Sequence, residues 1–410
     1  MALVNGAAHP NLSLDGAAGA CRTQPGGKKD ASAAAFCYSS TLCSRTGRLV
    51  LTPLGFSLLR QLSDGAFHSG EDLAARVGLT RARVSQLLRQ AETAGLSLER
   101  VRGRGYRLMT APDFLDAARV REALTEYGVK LATNGLSPLR PQLQDDDGAI
   151  GMEVVTEIAS RPAIHLELVD QLDSTSSELL RRAPRRDIHG AALAAEWQTA
   201  GRGRRGRTWT AVAGGSLTFS LGWRFEQGAG FLAGLSLAAG VGAIRALEKE
   251  GLTGVELKWP NDLIFRHLKV GGILVELNGD ALGPTTVVVG LGLNVRLPRE
   301  MRRDIAQPVT DLQSVAGRGA PPIDRNRLLA RLIAELGDTL SRYAKEGFAP
   351  FAAEWQHRHA YQGKPVRLLL PDGAAVMGKV AGVDASGALV LADGPRRARF
   401  LTGEISLRRA

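Results

Sequence analysis

Apolar positions follow no period over residues 1–48, which are rich in Ala, Gly and Ser, and become patterned only near Leu49. Residues 49–109 have helical spacing followed by a short basic hairpin. Leu73 to Val77 forms one helix, Gly78 the turn, and a second helix capped by Thr80 buries Val84, Leu87 and Leu88. Residues 110–160 hold one helix, Asp113 to Tyr127, then a polar stretch with Pro138, Pro141 and the acidic run Asp145 to Asp147, which reads as a linker or insertion. Strands are expected at Ile164–Val169, Ala191–Glu196, Leu217–Trp223, Val255–Lys258, Ile273–Leu277 and Thr286–Leu291. Arg325 to Lys345 is an amphipathic helix with Leu328, Leu329, Leu332, Ile333, Leu336 and Leu340 on one face, Asp324 as N-cap and Gly347 past its end. The turn pairs Asp372-Gly373, Ser386-Gly387 and Asp393-Gly394 then separate β-prone runs, which predicts a small antiparallel barrel over 363–409. No internal repeat is visible.

At 410 residues the chain exceeds one ordinary core and calls for two or three folded units. With 44% hydrophobic and 23% charged residues, most of it is expected to fold as a soluble globular protein. The longest charge-free apolar run, Phe231 to Ile244, is too short to span a bilayer and reads as a buried helix. The N-terminus lacks a secretory signal pattern, so a cytoplasmic location is expected. Residues 1–48 read as a disordered tail or an upstream start, with a transit peptide as the alternative. Cys21, Cys37 and Cys43 all lie there, without CxxC spacing, and point to neither a disulfide framework nor a zinc site.

The net charge of +11 raises the question of a polyanionic partner. Residues 45–109 contain eleven arginines, five carboxylates and no lysine, so much of the excess sits on the helical unit. Its second helix leaves Thr80, Arg81, Arg83, Ser85, Gln86 and Arg89 at its start or on its outer face, residue types that reach phosphates and base edges in a major groove. The hairpin projects Arg102, Arg104 and Arg107 as a wing suited to backbone or minor-groove contact. DNA binding is the expectation; protein docking is the alternative.

The most unusual segment is Gly201-Arg-Gly-Arg-Arg-Gly-Arg207. It matches GxGxxG, but a dinucleotide fold needs a helix to begin at the loop, and the following Thr208 to Leu221 is β-branched, aromatic and glycine-interrupted. Glycines that let the backbone approach and arginines that supply fixed cationic forks suit a phosphate or acyl-phosphate. A solvated basic loop or nucleic-acid clamp is the bland alternative.

This segment resembles the GRGRRGR loop of biotin protein ligases, and the resemblance extends in order and spacing through Asp173-Ser-Thr-Ser176, Glu196-Trp-Gln-Thr-Ala-Gly201, Lys258-Trp-Pro-Asn-Asp-Leu263, Lys269-Val-Gly-Gly-Ile-Leu-Val-Glu276 and Gly290-Leu-Gly-Leu-Asn-Val295. It covers about 49–109 and 164–410 and is closest to the bifunctional members that also repress biotin synthesis. It implies an α+β multidomain protein. The parts would be a winged helix-turn-helix at 49–109, a linker or insertion at 110–160, a mixed α/β ligase domain resembling class II aminoacyl-tRNA synthetases at 161–357, and an SH3-like small barrel at 358–410.

The implied activity is ATP-dependent conversion of biotin to its adenylate and transfer to a lysine of a biotin carboxyl carrier protein. Arg202, Arg204 and Lys269 would offset repulsion between the biotin carboxylate and the nucleotide. Ser174, Thr175, Ser176 and Gln198 would contact the ureido head, with Gly203 and Arg204 in the loop and Trp209, Gly271 and Gly272 as walls. Arg205, Asn261, Asp262 and Asn294 match the ATP side, Asp262 also helping to deprotonate the acceptor lysine. Mg2+ would accompany ATP with ligands unassigned. Operator DNA is the implied second partner, with a monomer–homodimer switch driven by adenylate.

Ser174 and Thr175 equally suit a helix cap, and Trp209 and Trp259 ordinary core. Many relatives carry Asn in place of Ser176, and the segment Ala306-Gln-Pro-Val-Thr-Asp-Leu312 lacks a tryptophan that repressor-type relatives place over the adenine, so weaker adenylate retention is expected. Rival readings are a lipoate or octanoyl transferase, a ligase whose winged helix no longer represses, and a non-enzymatic metabolite-sensing transcription factor.

Overall fold

The computed structural model describes residues 51–93, 96–109, 112–133, 162–279, 282–305, 307–401 and 403–406. The expected tail at 1–48 with its three cysteines, and the polar stretch after Thr133 as far as Arg161, lie outside them.

The chain opens with helices α1 (Pro53–Gln61), α2 (Gly70–Val77) and α3 (Arg81–Thr93), then the antiparallel pair β1 (Leu98–Val101) and β2 (Gly105–Leu108). Local signals fix the ends. Thr52 Oγ1 accepts from Gly55 N and Ser69 Oγ from Asp72 N, capping α1 and α2, and Gly78 ends α2 at φ 65°, a conformation that costs glycine little. Phe56, Leu59, Leu73, Val84, Leu87, Leu88 and Leu108 close a common core. The Leu51 amide donates to Gln171 Oε1, and Arg60 pairs with Asp170, tying α1 to the next sheet.

Helix α4 (Ala117–Glu126), N-capped by Asp116, follows. It was expected inside a linker, but Val120, Ala123 and Leu124, spaced three and one apart on one face, are buried in the main core.

That core is built on a seven-stranded sheet: β3 (His165–Leu172), β4 (Ala191–Gln198), β5 (Ser216–Phe225), β6 (Glu256–Lys258), β7 (Asp262–Phe265), β8 (Leu268–Gly279) and β9 (Thr285–Asn294), ordered β3-β4-β5-β9-β8-β7-β6. Only β3 and β4 pair in parallel. Period-2 alternation divides the two faces. Ala192, Ala194, Phe219 and Leu291 pack with α6 (Leu235–Lys249) and α9 (Arg325–Glu346), whereas Leu193 and Val288 pack with α5 (Thr175–Arg182). The buried run expected at Phe231–Ile244 is α6 preceded by a short turn. Asp324 caps α9, and Gly347 ends it at φ 66°, matching the sequence reading.

Short helices α7 (Arg299–Asp304) and α8 (Leu312–Ala316) precede α9, and α10 (Ala349–Arg358) follows it. The last unit is a five-stranded antiparallel sheet of β10 (Pro365–Leu369), β11 (Ala375–Val383), β12 (Leu389–Asp393), β13 (Arg396–Phe400) and β14 (Glu404–Ser406), ordered β13-β12-β11-β10-β14. Gly373, Gly387 and Gly394 take positive φ at the expected turns. No helix among the described residues is long and apolar enough to cross a membrane.

Candidate active site

On the α5 side of the large sheet, glycine replaces side chains where the strands would otherwise be covered. Thr218, Gly292, Gly272 and Asp262 lie in one row across β5, β9, β8 and β7, and Ser220, Gly290 and Leu274 in the next. A Cβ on Gly292 would sit 2.5 Å from the Trp209 indole, and one on Gly290 2.5 Å from Ser176 Oγ. The cleared strip is the floor of a cavity that is partly open to solvent.

The glycine-arginine loop forms one wall. It folds on itself through Gly203 N to Arg207 O at 2.7 Å and Trp209 N to Gly201 O at 2.9 Å. Gly201 must be glycine there, because a Cβ would lie 2.4 Å from the Trp209 carbonyl. Strand β5 follows the loop, not the helix a dinucleotide fold requires. Arg202 reaches Glu276 Oε1 at 2.6 Å and Ser177 Oγ at 3.3 Å, and Arg204 donates to Asn261 Oδ1 at 3.3 Å.

Opposite the loop, β7 and β8 bring Lys269 Nζ within 2.7 Å of Asp262 Oδ1, both side chains mostly but not fully buried. Lys258 stands 4.0 Å from the same carboxylate. Asn261 Nδ2 donates to the Ile273 carbonyl at 2.7 Å, which fixes the turn before β7. At the far end, Ser174 caps α5, and Thr175 N donates to Gln198 Oε1 at 2.7 Å. The Trp209 indole N–H, though buried, meets no acceptor among the described residues.

Ser174, Thr175, Ser176, Gln198, Arg202, Gly203, Arg204, Arg205, Trp209, Asn261, Asp262, Lys269 and Gly272, all singled out from sequence, line this one cavity. Two do not. Gly271 pairs with Leu293 and Leu263 on the opposite face, because neighbouring strand residues point to opposite sides. Asn294 is buried at the end of β9 with Nδ2 donating to Thr310 O at 3.1 Å, so it holds the segment 307–312 and does not line the cavity. That segment runs beside Lys269, whose backbone bonds to Pro308 O and Thr310 N. Gln307 reaches the cavity, while Ala306 lies outside the described residues.

Sequence reasoning assigned no role to Ser220, Glu276, Gly290, Gly292 or Gly403. The alternating glycines of Gly290-Leu-Gly292 were a usable signal; Ser220 and Gly403 carried none.

The DNA-reading candidates lie on α3 and the hairpin. Arg83 N donates to Thr80 Oγ1 at 3.3 Å, capping α3 as expected. Arg81, Gln86 and Arg89 are exposed, Arg83 and Ser85 partly so. Arg83 donates to Gln86 Oε1 at 2.7 Å and Arg89 to Ser85 Oγ at 3.2 Å, so this face is pre-arranged along the helix. Arg102 and Arg104 are exposed on the hairpin, Arg104 stacked 4.2 Å over Phe67, whereas Arg107 is held by Glu99.

The sequence pattern of the Biotin/lipoate A/B protein ligase family matches residues 171–294, and that of the Biotin protein ligase C terminal domain matches 361–408. The bifunctional ligase/repressor BirA of Salmonella typhimurium is 34% identical over 359 residues, covering 88% of this chain and 99% of that protein. The biotin–[acetyl-CoA-carboxylase] ligase of Mycobacterium tuberculosis is 38% identical over 251 residues, 58% of this chain and 88% of the relative. The solved biotin protein ligase of Aquifex aeolicus, in complex with biotin and ATP, shares 31% identity with a TM-score of 0.50, over 60% of this chain and 98% of that one.

Proposed function

The chain belongs to the biotin protein ligase family, and from that premise we propose that it activates biotin with ATP and transfers it to a lysine of a biotin carboxyl carrier protein. One observation carries the reading: the cationic groups Arg202, Arg204 and Lys269 border the same cavity as the polar set Ser174, Thr175 and Gln198. The cationic end suits the meeting of two anions, and the polar end suits a neutral ring that both donates and accepts hydrogen bonds.

In the first step a biotin carboxylate oxygen attacks the α-phosphorus of ATP and pyrophosphate leaves. Arg202, Arg204 and Lys269 reduce the repulsion and align the carboxylate, with Arg205 and Asn261 on the nucleotide side. In the second step the acceptor lysine's amine attacks the acyl carbon and AMP leaves, its proton passing to Asp262 and its departing charge balanced by Lys269. Trp209 and Gly272 form walls of the biotin end. A Mg2+ ion would accompany ATP. That ion would neutralise phosphate charge.

The domain division at 49–109, 161–357 and 358–410 belongs to the same proposal, as do a cytoplasmic location, the likeness of the catalytic unit to class II aminoacyl-tRNA synthetases and an SH3-like reading of the last sheet. Helices α2 and α3 with the β1–β2 hairpin serve as a winged helix-turn-helix that reads operator DNA through Thr80, Arg81, Arg83, Ser85, Gln86 and Arg89, with Arg102 and Arg104 on the backbone. Adenylate binding favours a dimer that binds DNA, a population shift. The test is incorporation of labelled biotin into a purified carrier domain by the full chain, with and without ATP and magnesium. ATP-dependent labelling is expected; no labelling and no adenylate would reject the enzyme and favour a metabolite-sensing transcription factor.

A further inference from the structure

Behind the polar end of the cavity lies a hydroxyl that solvent does not reach. Ser220, on β5 in the same row as Gly290, is 0% exposed. Its Oγ lies 2.7 Å from Thr175 Oγ1 and 3.0 Å from Ser176 Oγ. Thr175 Oγ1 is in turn 3.3 Å from Gln198 Oε1, the atom that already accepts the Thr175 N–H at 2.7 Å. The absence of a side chain at Gly290 is what lets Ser176 approach.

Each hydroxyl has a single proton to give. If Thr175 donates to Ser220, then Ser220 donates to Ser176, and the Ser176 proton meets no acceptor among the described residues. The opposite order, Ser176 to Ser220 to Thr175 to Gln198, gives every proton an acceptor, the condition buried polar groups satisfy. It also fixes the Gln198 carboxamide: Oε1 is occupied by Thr175, so the NH2 is the end left for the cavity.

We infer that Ser220 is a positioning residue that sets the donor and acceptor polarity of this end of the cavity, turning the lone pairs of Thr175 and Ser176 and the N–H groups of Gln198 toward the ligand. The inference rests on the biotin reading, since a cyclic urea offers two N–H donors and one carbonyl acceptor, the complement of that pattern. Ser220 acts only through its neighbours and is absent from the cavity lining.

The test uses the full chain, with equilibrium binding of labelled biotin and ATP-dependent labelling of a carrier domain. Ser220→Ala should raise the biotin KM roughly tenfold, about one hydrogen bond's worth, and leave kcat within about twofold. Ser220→Cys, which keeps a weak donor of similar size, should recover part of the loss. In a Thr175→Val background the relay is already cut, so Ser220→Ala should add less than about twofold. A wild-type KM in Ser220→Ala, or the same tenfold cost in both backgrounds, would overturn the inference, the second result pointing to a packing defect alone. If the wild-type chain binds no biotin, the functional reading itself fails, an outcome separate from either.

Discussion

Two acid–base pairs in the large sheet use the same chemistry to opposite ends. Glu196 on β4 and Arg325 at the start of α9 meet at 3.0 Å with both side chains 2% exposed. Each has further partners: the carboxylate accepts from the Leu115 and Gly214 amides, and the guanidinium donates to the carbonyls of Asp113 at 2.7 Å and Ser216 at 2.6 Å. Asp262 and Lys269 meet at 2.7 Å with 16% and 17% exposure at the rim of an open cavity. The first pair is a strut joining α4's lead-in, the sheet and α9. The second borders open space, and on the proposed reading an incoming carboxylate or phosphate takes over its ammonium.

Breaking the strut should have the largest effect. Arg325→Met leaves Glu196 charged and buried, and unfolding stability should fall by roughly 3–5 kcal/mol in a urea titration. A loss under about 1 kcal/mol would make the pair dispensable and dissolve the contrast. Lys269→Met should invert the pattern: adenylate formation drops roughly 10²–10³-fold while the urea midpoint hardly moves. A destabilised Lys269→Met would mean that this pair, too, holds the fold together.

A third, smaller effect concerns the seam between the sheets, where His359 is stacked 4.5 Å from Trp355 and its Nε2 accepts from Trp259 N. Burial, with Lys364 adding to it, pushes its pKa down to about 3. The ring is therefore neutral in the folded chain, while the unfolded chain takes up a proton below about pH 6.5. Its share of stability is intact above that pH and declines as pH falls from about 6.5 toward 3, at up to ~1.4 kcal/mol per unit. Urea titrations at pH 7.5 and 5.5 should show the decline, and His359→Leu should lessen it; an unchanged slope in that variant would remove His359 as its source.

Much of this architecture was legible where a single segment holds its own signal. The caps at Thr80 and Asp324, the αL turn at Gly78 and the face of α9 all depend on neighbours a few residues apart. Strand β7 was missed because Pro260-Asn-Asp reads as a turn, and the strand exists only through pairing with β6 and β8. For the site, the cationic groups announced themselves by unusual density. Ser220 did not, because a serine between Phe219 and Leu221 looks like any strand residue until β9 and α5 close over it. Gly271 and Gly272 were equivalent in sequence, and only the strand register separates them, since a shift of one residue exchanges the faces.

Trp209 lies across the cavity floor above Gly292 with its indole N–H uncommitted among the described residues, whereas Trp259, which also borders the cavity, gives its N–H to Gly387 O at 3.2 Å. The chain has five tryptophans, so its emission spectrum is a sum, but this indole is positioned to change polarity and hydrogen bonding when a ligand settles against it. The protein thus carries an intrinsic fluorophore within its own cavity, and occupancy can be followed optically in the unmodified chain.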